Sequence, residues 1–506
     1  MYELQTTVTI GVIGAGAMGA GIAQVAASAG HVVYLHDQNS NAITTGINNI
    51  NTGLKKQVKR GKMTEEDRLA LIDRIRPTTN INDLANTGLI VEAIIESLEI
   101  KQSLFAKLEE ICSSSTILAT NTSSLSITSI AAKLTTPKRF VGMHFFNPAP
   151  ILKLVEVVTG LATDQRVAQT IYNTAKKWGK SPVYTKSSPG FIVNRVARPF
   201  YAEGLRVLEE GGASVSTLDT IMRETANFRM GPFELMDLIG HDVNYAVTCS
   251  VFNAYYQDPR FKPSLYQQEL VNAGFLGCKS GKGFYDYNND EKPSYSEESI
   301  QAIPKNVLVD GDLGVASPLI DLIKNSQLSS KINADSTESK LVVDAVTIVL
   351  TNGLSASEVA RKSNQENLIV FDLAFDYLSS NRIVLAKAEQ ASDLALNTAI
   401  GFFQALGKKV TVINDIPGLL VMRTVCMLAN EAADAVNQNV ASAVDVDIAM
   451  CKGVNYPKGP LLWADELGVD TVFTVLTNLQ ESYGEDRYRP SILLRKKYFS
   501  RTNFHI

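Results

Sequence analysis

The chain has 506 residues, 45% of them apolar and 20% charged. That is above the size at which single hydrophobic cores stop growing, so two or more domains are expected. Against 52 Asp and Glu stand 48 Lys and Arg, a net charge of −4; no global field draws in nucleic acid or an anionic membrane, and an anionic ligand has to be met by a local basic patch.

The N-terminus has no basic segment ahead of an apolar one, and no apolar run approaches the roughly 20 residues that span a bilayer. Five widely spaced cysteines (Cys112, Cys249, Cys278, Cys426, Cys451) contain no Cys-x-x-Cys and read as reduced thiols of a soluble, cytoplasmic protein without a metal site. An apolar run from Val8 to Ile13 leads into a glycine cluster, a helical stretch ending near Gly30 and a second apolar run, Val32 to Leu35. This is a β-α-β unit. Further apolar runs lie at Leu89–Ile95, Thr116–Ala119, Phe140–Met143 and Leu154–Val158, with helix-period segments between most of them. The alternation predicts an α/β, Rossmann-type, mostly parallel doubly wound sheet over residues 1–186.

From Ser188 strand-like runs almost vanish, and an all-helical domain is expected over 187–287. The polar, Ser/Glu-rich, Pro-punctuated stretch 288–304 reads as a linker. Beyond it the sequence repeats itself at a step of 228 residues: Pro189-Gly190 falls on Pro417-Gly418, Glu203 on Glu431, Asp219 on Asp447, Gly231-Pro232 on Gly459-Pro460 and Gly240 on Gly468. Gly and Pro mark fixed turns, so one register held over so many of them indicates duplication. A degenerate second copy of the α/β plus all-α unit is therefore expected, as 305–412 and 413–506. Its chemistry is not kept: Asn194 corresponds to Met422 and Glu156 to Val384, and no second Gly-x-Gly-x-x-Gly appears. The copy is expected to be structural, its helical domain packing on the first as a second subunit would.

Gly14-Ala-Gly16-Ala17-Met18-Gly19 stands directly after a strand and opens a helix. The first Gly suits a tight turn, the second a close approach of backbone N–H groups to a pyrophosphate, and the third close helix–strand packing. Asp37, 18 residues beyond Gly19, can accept from a ribose diol and repels a 2′-phosphate, which favours NAD over NADP. A second constellation comprises Asn121-Thr-Ser123-Ser, His144 in Gly-Met-His-Phe-Phe-Asn-Pro, Glu156 in Leu-Val-Glu-Val, and Asn194. Glu156 sits in an apolar run, where an unpaired carboxylate is costly, so a partner such as His144 is demanded.

Taken together with Ser188-Pro-Gly-Phe-Ile-Val-Asn194-Arg195 and Lys279-Ser-Gly-Lys-Gly-Phe-Tyr285, these motifs resemble the L-3-hydroxyacyl-CoA dehydrogenase family over residues 1–287. The resemblance implies oxidation of (S)-3-hydroxyacyl-CoA by NAD. His144 would be the base, Glu156 its orienting carboxylate, and Ser123 and Asn194 would bind the substrate. Glu96, Lys101, Asn121 and Lys279 match positions that contact NAD. The basic run Lys55, Lys56, Lys59 and Arg60 lies where the family meets CoA, with Lys56 and Arg60 the expected contacts. The duplicated length implies 3-hydroxyadipyl-CoA of phenylacetate breakdown as substrate, or 3-hydroxybutyryl-CoA. The alternatives are a gulonate-type hydroxy-acid dehydrogenase or a non-catalytic structural protein. Partners are expected to be the acyl-CoA alone, with neither nucleic acid nor membrane, and a homodimer is compatible with the duplication.

Overall fold

The computed structural model describes residues 3–289 and 294–505, so part of the expected linker, 290–293, lies outside the described residues. The chain forms two compact units: residues 1–195 together with 438–454, and residues 196–437 together with 455–506.

The first unit is built on an eight-stranded sheet: β1 (Ile10–Ile13), β2 (Val33–His36), β3 (Ile75–Thr78), β4 (Leu89–Glu92), β5 (Ile117–Thr120), β6 (Phe140–Phe145), β7 (Leu154–Thr159) and β8 (Ser181–Lys186). The order is β3-β2-β1-β4-β5-β6-β7-β8, all parallel except for the antiparallel pair β6–β7. Strands β1, β4 and β5 are buried along their whole length, since apolar side chains are packed on both faces by helices. Two strands escape the sequence reading. In β3 the residues Ile-Arg-Pro-Thr alternate too briefly to stand out, and β8 begins Ser-Pro. The strand order reverses between β1 and β4, and at such a switch point the carboxyl ends of the strands open a crevice.

Residues 438–454, which the sequence places in the second helical region, belong to this first unit. The helix Ala443–Gly453 lies against β7 and β8. Lys186 donates its backbone N–H to the Val440 carbonyl at 2.9 Å, and Arg195 Nη1 donates to Gln438 Oε1 at 2.9 Å. Gly453 has no side chain because there is no room for one: a Cβ there would come within 2.5 Å of Leu154 and 3.2 Å of Val193.

The second unit contains the first helical domain, a seven-stranded sheet and the remaining helices of the second copy. Its strands are β9 (Asn306–Gly311), β10 (Ser329–Asn333), β11 (Ser339–Val343), β12 (Val346–Leu350), β13 (Leu368–Phe371), β14 (Arg382–Lys387) and β15 (Lys409–Val412), in the order β10-β9-β11-β12-β13-β14-β15. The 228-residue step superposes β7 on β14, the helix Gln165–Lys177 on Asp393–Ala405, and Pro232–Ile239 on Pro460–Leu467, boundary for boundary. The copy departs from the first sheet at β11, which runs antiparallel to both β9 and β12. The helix Val421–Asn437 packs on Arg198–Glu209, and Arg423 Nε meets Glu203 Oε2 at 2.6 Å with both groups buried. The segment after residue 293 is tied down rather than free, as Ser296 N–H bonds Thr217 Oγ1 at 3.0 Å and Glu298 N–H bonds the Val410 carbonyl at 2.9 Å.

Among the described residues no helix is long and apolar enough to cross a membrane. Gly453→Val should push Leu154 and Val193 outward and lower both Tm and turnover. A calorimetric Tm equal to that of the unaltered protein would show that residues 438–454 do not brace the first sheet.

Candidate active site

The glycine loop leaves β1 at its carboxyl end and opens the helix α1 (Ala17–Ser28). Each glycine is required for a separate reason. Gly14 has φ +98°, and a Cβ on it would lie 2.5 Å from the Ala93 carbonyl oxygen; a Cβ on Gly19 would strike the Gly14 carbonyl at 1.7 Å. At Gly16 the Cβ direction meets nothing within 4 Å. That opening faces the start of α1, whose N-cap is Gly16 with no side chain capping it and whose first turn carries no acid. Free helix N–H groups and a positive dipole end suit a pyrophosphate. Ala17 and Met18 form the first turn, and a cavity of about 600 Å³ extends from Gly16 and Ala17 to Asn147 and Pro148.

Asp37 ends the second strand as expected and has structural work of its own. Its Oδ2 accepts from Ala15 N–H at 2.9 Å, holding the loop, and its Oδ1 accepts from Asn39 N–H at 2.9 Å.

His144 and Glu156 are register partners across β6 and β7, so their side chains share one face. His144 Nδ1 lies 2.7 Å from Glu156 Oε2, with 6% and 1% of the two residues exposed. The imidazole rests against Phe146, ring centroids 4.4 Å apart, and Phe191 at 5.9 Å. The other carboxylate oxygen, Oε1, accepts the backbone N–H groups of Ile192 and Val193, each at 3.0 Å. One carboxylate therefore orients the histidine and holds the turn that presents Asn194. With Nδ1 donating to Glu156, Nε2 is the nitrogen left to accept a proton.

Asn194 Nδ2 reaches the Ser123 carbonyl at 3.4 Å, which brings those two candidates together. Asn121 points back into the protein: its Oδ1 accepts from Phe145 N–H at 2.8 Å and fixes the backbone beside His144. Glu96 gathers the 121–124 loop, Oε1 accepting from Thr122 Oγ1 at 2.5 Å, Ser123 N–H at 3.2 Å and Ser124 Oγ at 2.9 Å. Burial alone would raise the pKa of Glu96. The Thr122 and Ser124 hydroxyls and the Lys101 charge outweigh it and hold the carboxyl below its usual range.

Lys101 turns inward. With 1% exposed it offers almost no surface to a ligand, because its ammonium bonds Glu92 Oε1 at 2.5 Å and lies 3.3 Å from Glu96. It acts on the site through Glu96. Glu92, which the sequence reading missed, was legible by the same sign as Glu156: a carboxylate closing an apolar strand, Leu-Ile-Val-Glu. Lys180 was missed as well. Buried, it bonds the Ala149 and Leu152 carbonyls and so ties down the loop that follows Asn147-Pro148, while burial pushes its pKa down to about 8. Lys279 belongs to the second compact unit, where it pairs with Asp242. Lys55, Lys56, Lys59 and Arg60 all project, exposed, at the end of the helix α2 (Ser40–Lys59) or just past it.

Comparison with known proteins matches this geometry to a family. The model for the 3-hydroxyacyl-CoA dehydrogenase NAD binding domain matches residues 9–188, and that for its C-terminal domain matches 190–287 and again 418–502. Residues 348–417 match the 3-hydroxybutyryl-CoA dehydrogenase reduced Rossmann-fold domain. The chain belongs to the 3-hydroxyacyl-CoA dehydrogenase family, and it is an NAD-dependent oxidoreductase of that class.

Among its relatives, 3-hydroxyadipyl-CoA dehydrogenase of Escherichia coli K12 is 45% identical over 489 residues, 97% of each chain. A probable 3-hydroxybutyryl-CoA dehydrogenase of Bacillus subtilis is 41% identical over 56% of this chain and 98% of its own. The crystal structure of 3-hydroxybutyryl-CoA dehydrogenase from Escherichia coli K12 superposes with a TM-score of 0.90 at 44% identity, covering 98% of this chain and 99% of that one.

His144→Ala should cut kcat about 10²- to 10⁴-fold and leave NAD binding nearly intact; near-normal turnover would remove it as the base. Glu156→Ala should do more, since two buried N–H groups lose their acceptor as well, at about 1–3 kcal/mol each. Urea denaturation should find it less stable than His144→Ala.

Proposed function

We propose that the enzyme oxidises the 3-hydroxyl of an acyl-CoA thioester, and the buried His144–Glu156 pair carries this reading. NAD, when bound, would supply the hydride acceptor for C3. His144 Nε2 accepts the hydroxyl proton, and the Glu156 side chain beside Nδ1 stabilises the imidazolium that forms. Ser123 and Asn194 bind the substrate oxygens, so that donors are already aimed where charge develops. Gly14, Gly16, Ala17, Met18, Gly19, Asp37, Glu96, Lys101, Asn121 and Lys279 are the residues we assign to the cofactor. Lys56 and Arg60 meet the phosphates of CoA.

The substrate we assign is 3-hydroxyadipyl-CoA, and support comes from a relative of that name matching 97% of the chain. A second reading, 3-hydroxybutyryl-CoA, has its own support in the name of the solved structure that matches at a TM-score of 0.90. The two helical domains pair within one chain as those of two subunits would. Arg423 on Glu203 at 2.6 Å and Arg260 on Glu431 at 3.1 Å support that pairing. Association of two such chains into a homodimer, and residence in a reducing cytoplasm, complete the reading.

NADH oxidation should be faster, by kcat/KM, with 3-oxoadipyl-CoA than with acetoacetyl-CoA; the reverse order selects the hydroxybutyryl reading, and no oxidation with any 3-oxoacyl-CoA defeats both. Asp37→Ala should raise the KM for NADH and narrow its advantage over NADPH in the same assay, because the ribose acceptor and the loop anchor go together.

A further inference from the structure

The second compact unit encloses a cavity of about 950 Å³, within the size range of small-molecule sites. Its walls come from the helix Arg198–Glu209, the turn Pro259–Phe261, the helix Leu265–Asn272 and the chain between Tyr483 and Arg487. No residue assigned to the dehydrogenase chemistry lines it. Leu205, Phe261, Leu270 and Phe275 make part of the wall apolar.

The cations around it are not equivalent. Arg260 pairs with Glu431 and Asp434, Arg206 with Glu485 at 3.0 Å, and Arg487 shares Glu485 at 3.5 Å; Lys262 is solvent-exposed. Arg198 is 5% exposed and pairs with no carboxylate among the described residues. Its Nη1 donates to Thr248 Oγ1 at 3.0 Å, its guanidinium carbon lies 4.8 Å from the centroid of the Tyr201 ring, and its Nε has no hydrogen-bond partner. A guanidinium keeps its proton in any protein environment, so this charge is buried as a charge. Burying one without a counter-charge is among the costlier things a fold does, and where it occurs beside a cavity it marks an anion site. A single unmatched positive charge fits a monoanion, and Glu209, Glu210 and Glu269 on the same wall repel a polyanion such as phosphate.

We infer that this cavity binds a carboxylate carried on a short apolar chain, with Arg198 holding the carboxylate and the apolar wall taking the chain. The ligand is a free carboxylic acid, since every residue lining the cavity belongs to the second unit.

The full-length protein with NAD is titrated calorimetrically with butanoate, hexanoate and hexanol. Both acids should bind and hexanol should not. Arg198→Met should weaken the acids about tenfold or more, the range for a hydrogen bond to a charged group. Arg198→Lys should retain part of the affinity, and Ala202→Leu, which narrows the cavity without touching the guanidinium, should weaken both acids should Arg198→Met fail to fold. Arg198→Met should turn over 3-oxoadipyl-CoA and acetoacetyl-CoA as the unaltered protein does, while the titration loses its signal.

Equal affinity for the acids in the unaltered protein and in Arg198→Met overturns the inference. So does an absence of acid binding to the unaltered protein. A protein that oxidises NADH with neither thioester defeats the proposed function instead, and the titration alone then decides the cavity.

Discussion

A single buried carboxylate organises the catalytic unit. Glu156 lies inside an apolar strand, where an anion without partners would cost several kcal/mol. Three donors meet it: the His144 imidazole on one oxygen and the Ile192 and Val193 N–H groups on the other. The consequences radiate from there. The antiparallel pairing of β6 and β7 is needed to put His144 and Glu156 side by side, the turn into the next helix is fixed by the second oxygen, and that turn sets Asn194 against Ser123. The His144 imidazole, its carboxylate partner and the Asn194 amide are thus held by one charge rather than by three separate devices.

The duplicated half shows which part of this arrangement is architecture. At the 228-residue step His144 corresponds to Asp372 and Glu156 to Val384. Asp372 accepts the N–H groups of Leu420 at 3.0 Å, Val421 at 2.7 Å and Met422 at 2.9 Å, the counterparts of the groups that Glu156 serves and of Asn194 itself. The copy has lost the imidazole and the Asn194 amide but kept a buried carboxylate over the helix start, moved from one strand to its neighbour. Holding that helix is a requirement of the fold. Orienting a histidine is a use the first half adds to it.

Much of this was legible in the residues. The glycine loop, the strand–helix alternation and the duplication are written in Gly, Pro and apolar spacing, and the need of Glu156 for a partner follows from its apolar neighbours alone. What stayed hidden depends on three-dimensional pairing. The inward turn of Lys101 onto Glu92 is invisible in a helix that also carries the solvated Glu99, Lys107 and Glu110, and Asn121 spends its side chain on the Phe145 backbone, which no spacing rule predicts. The short strand Ile75–Thr78 carries Arg and Pro at its middle positions and reads as loop. The bracing of the first sheet by residues 438–454 joins segments far apart in sequence, beyond the reach of any local pattern.

That bracing bears on how the protein is made. A domain usually folds once its own stretch of chain has left the ribosome. Here the catalytic sheet is complete in sequence by Lys186, yet the helix that covers β7 and β8 ends at Gly453, so nearly nine-tenths of the chain must be synthesised before the last piece of the first unit exists. Until then the apolar flank that Gly453 fits against is open to solvent. The first unit, begun first, is thus completed only shortly before the second, whose own closing residues, 455–506, follow it.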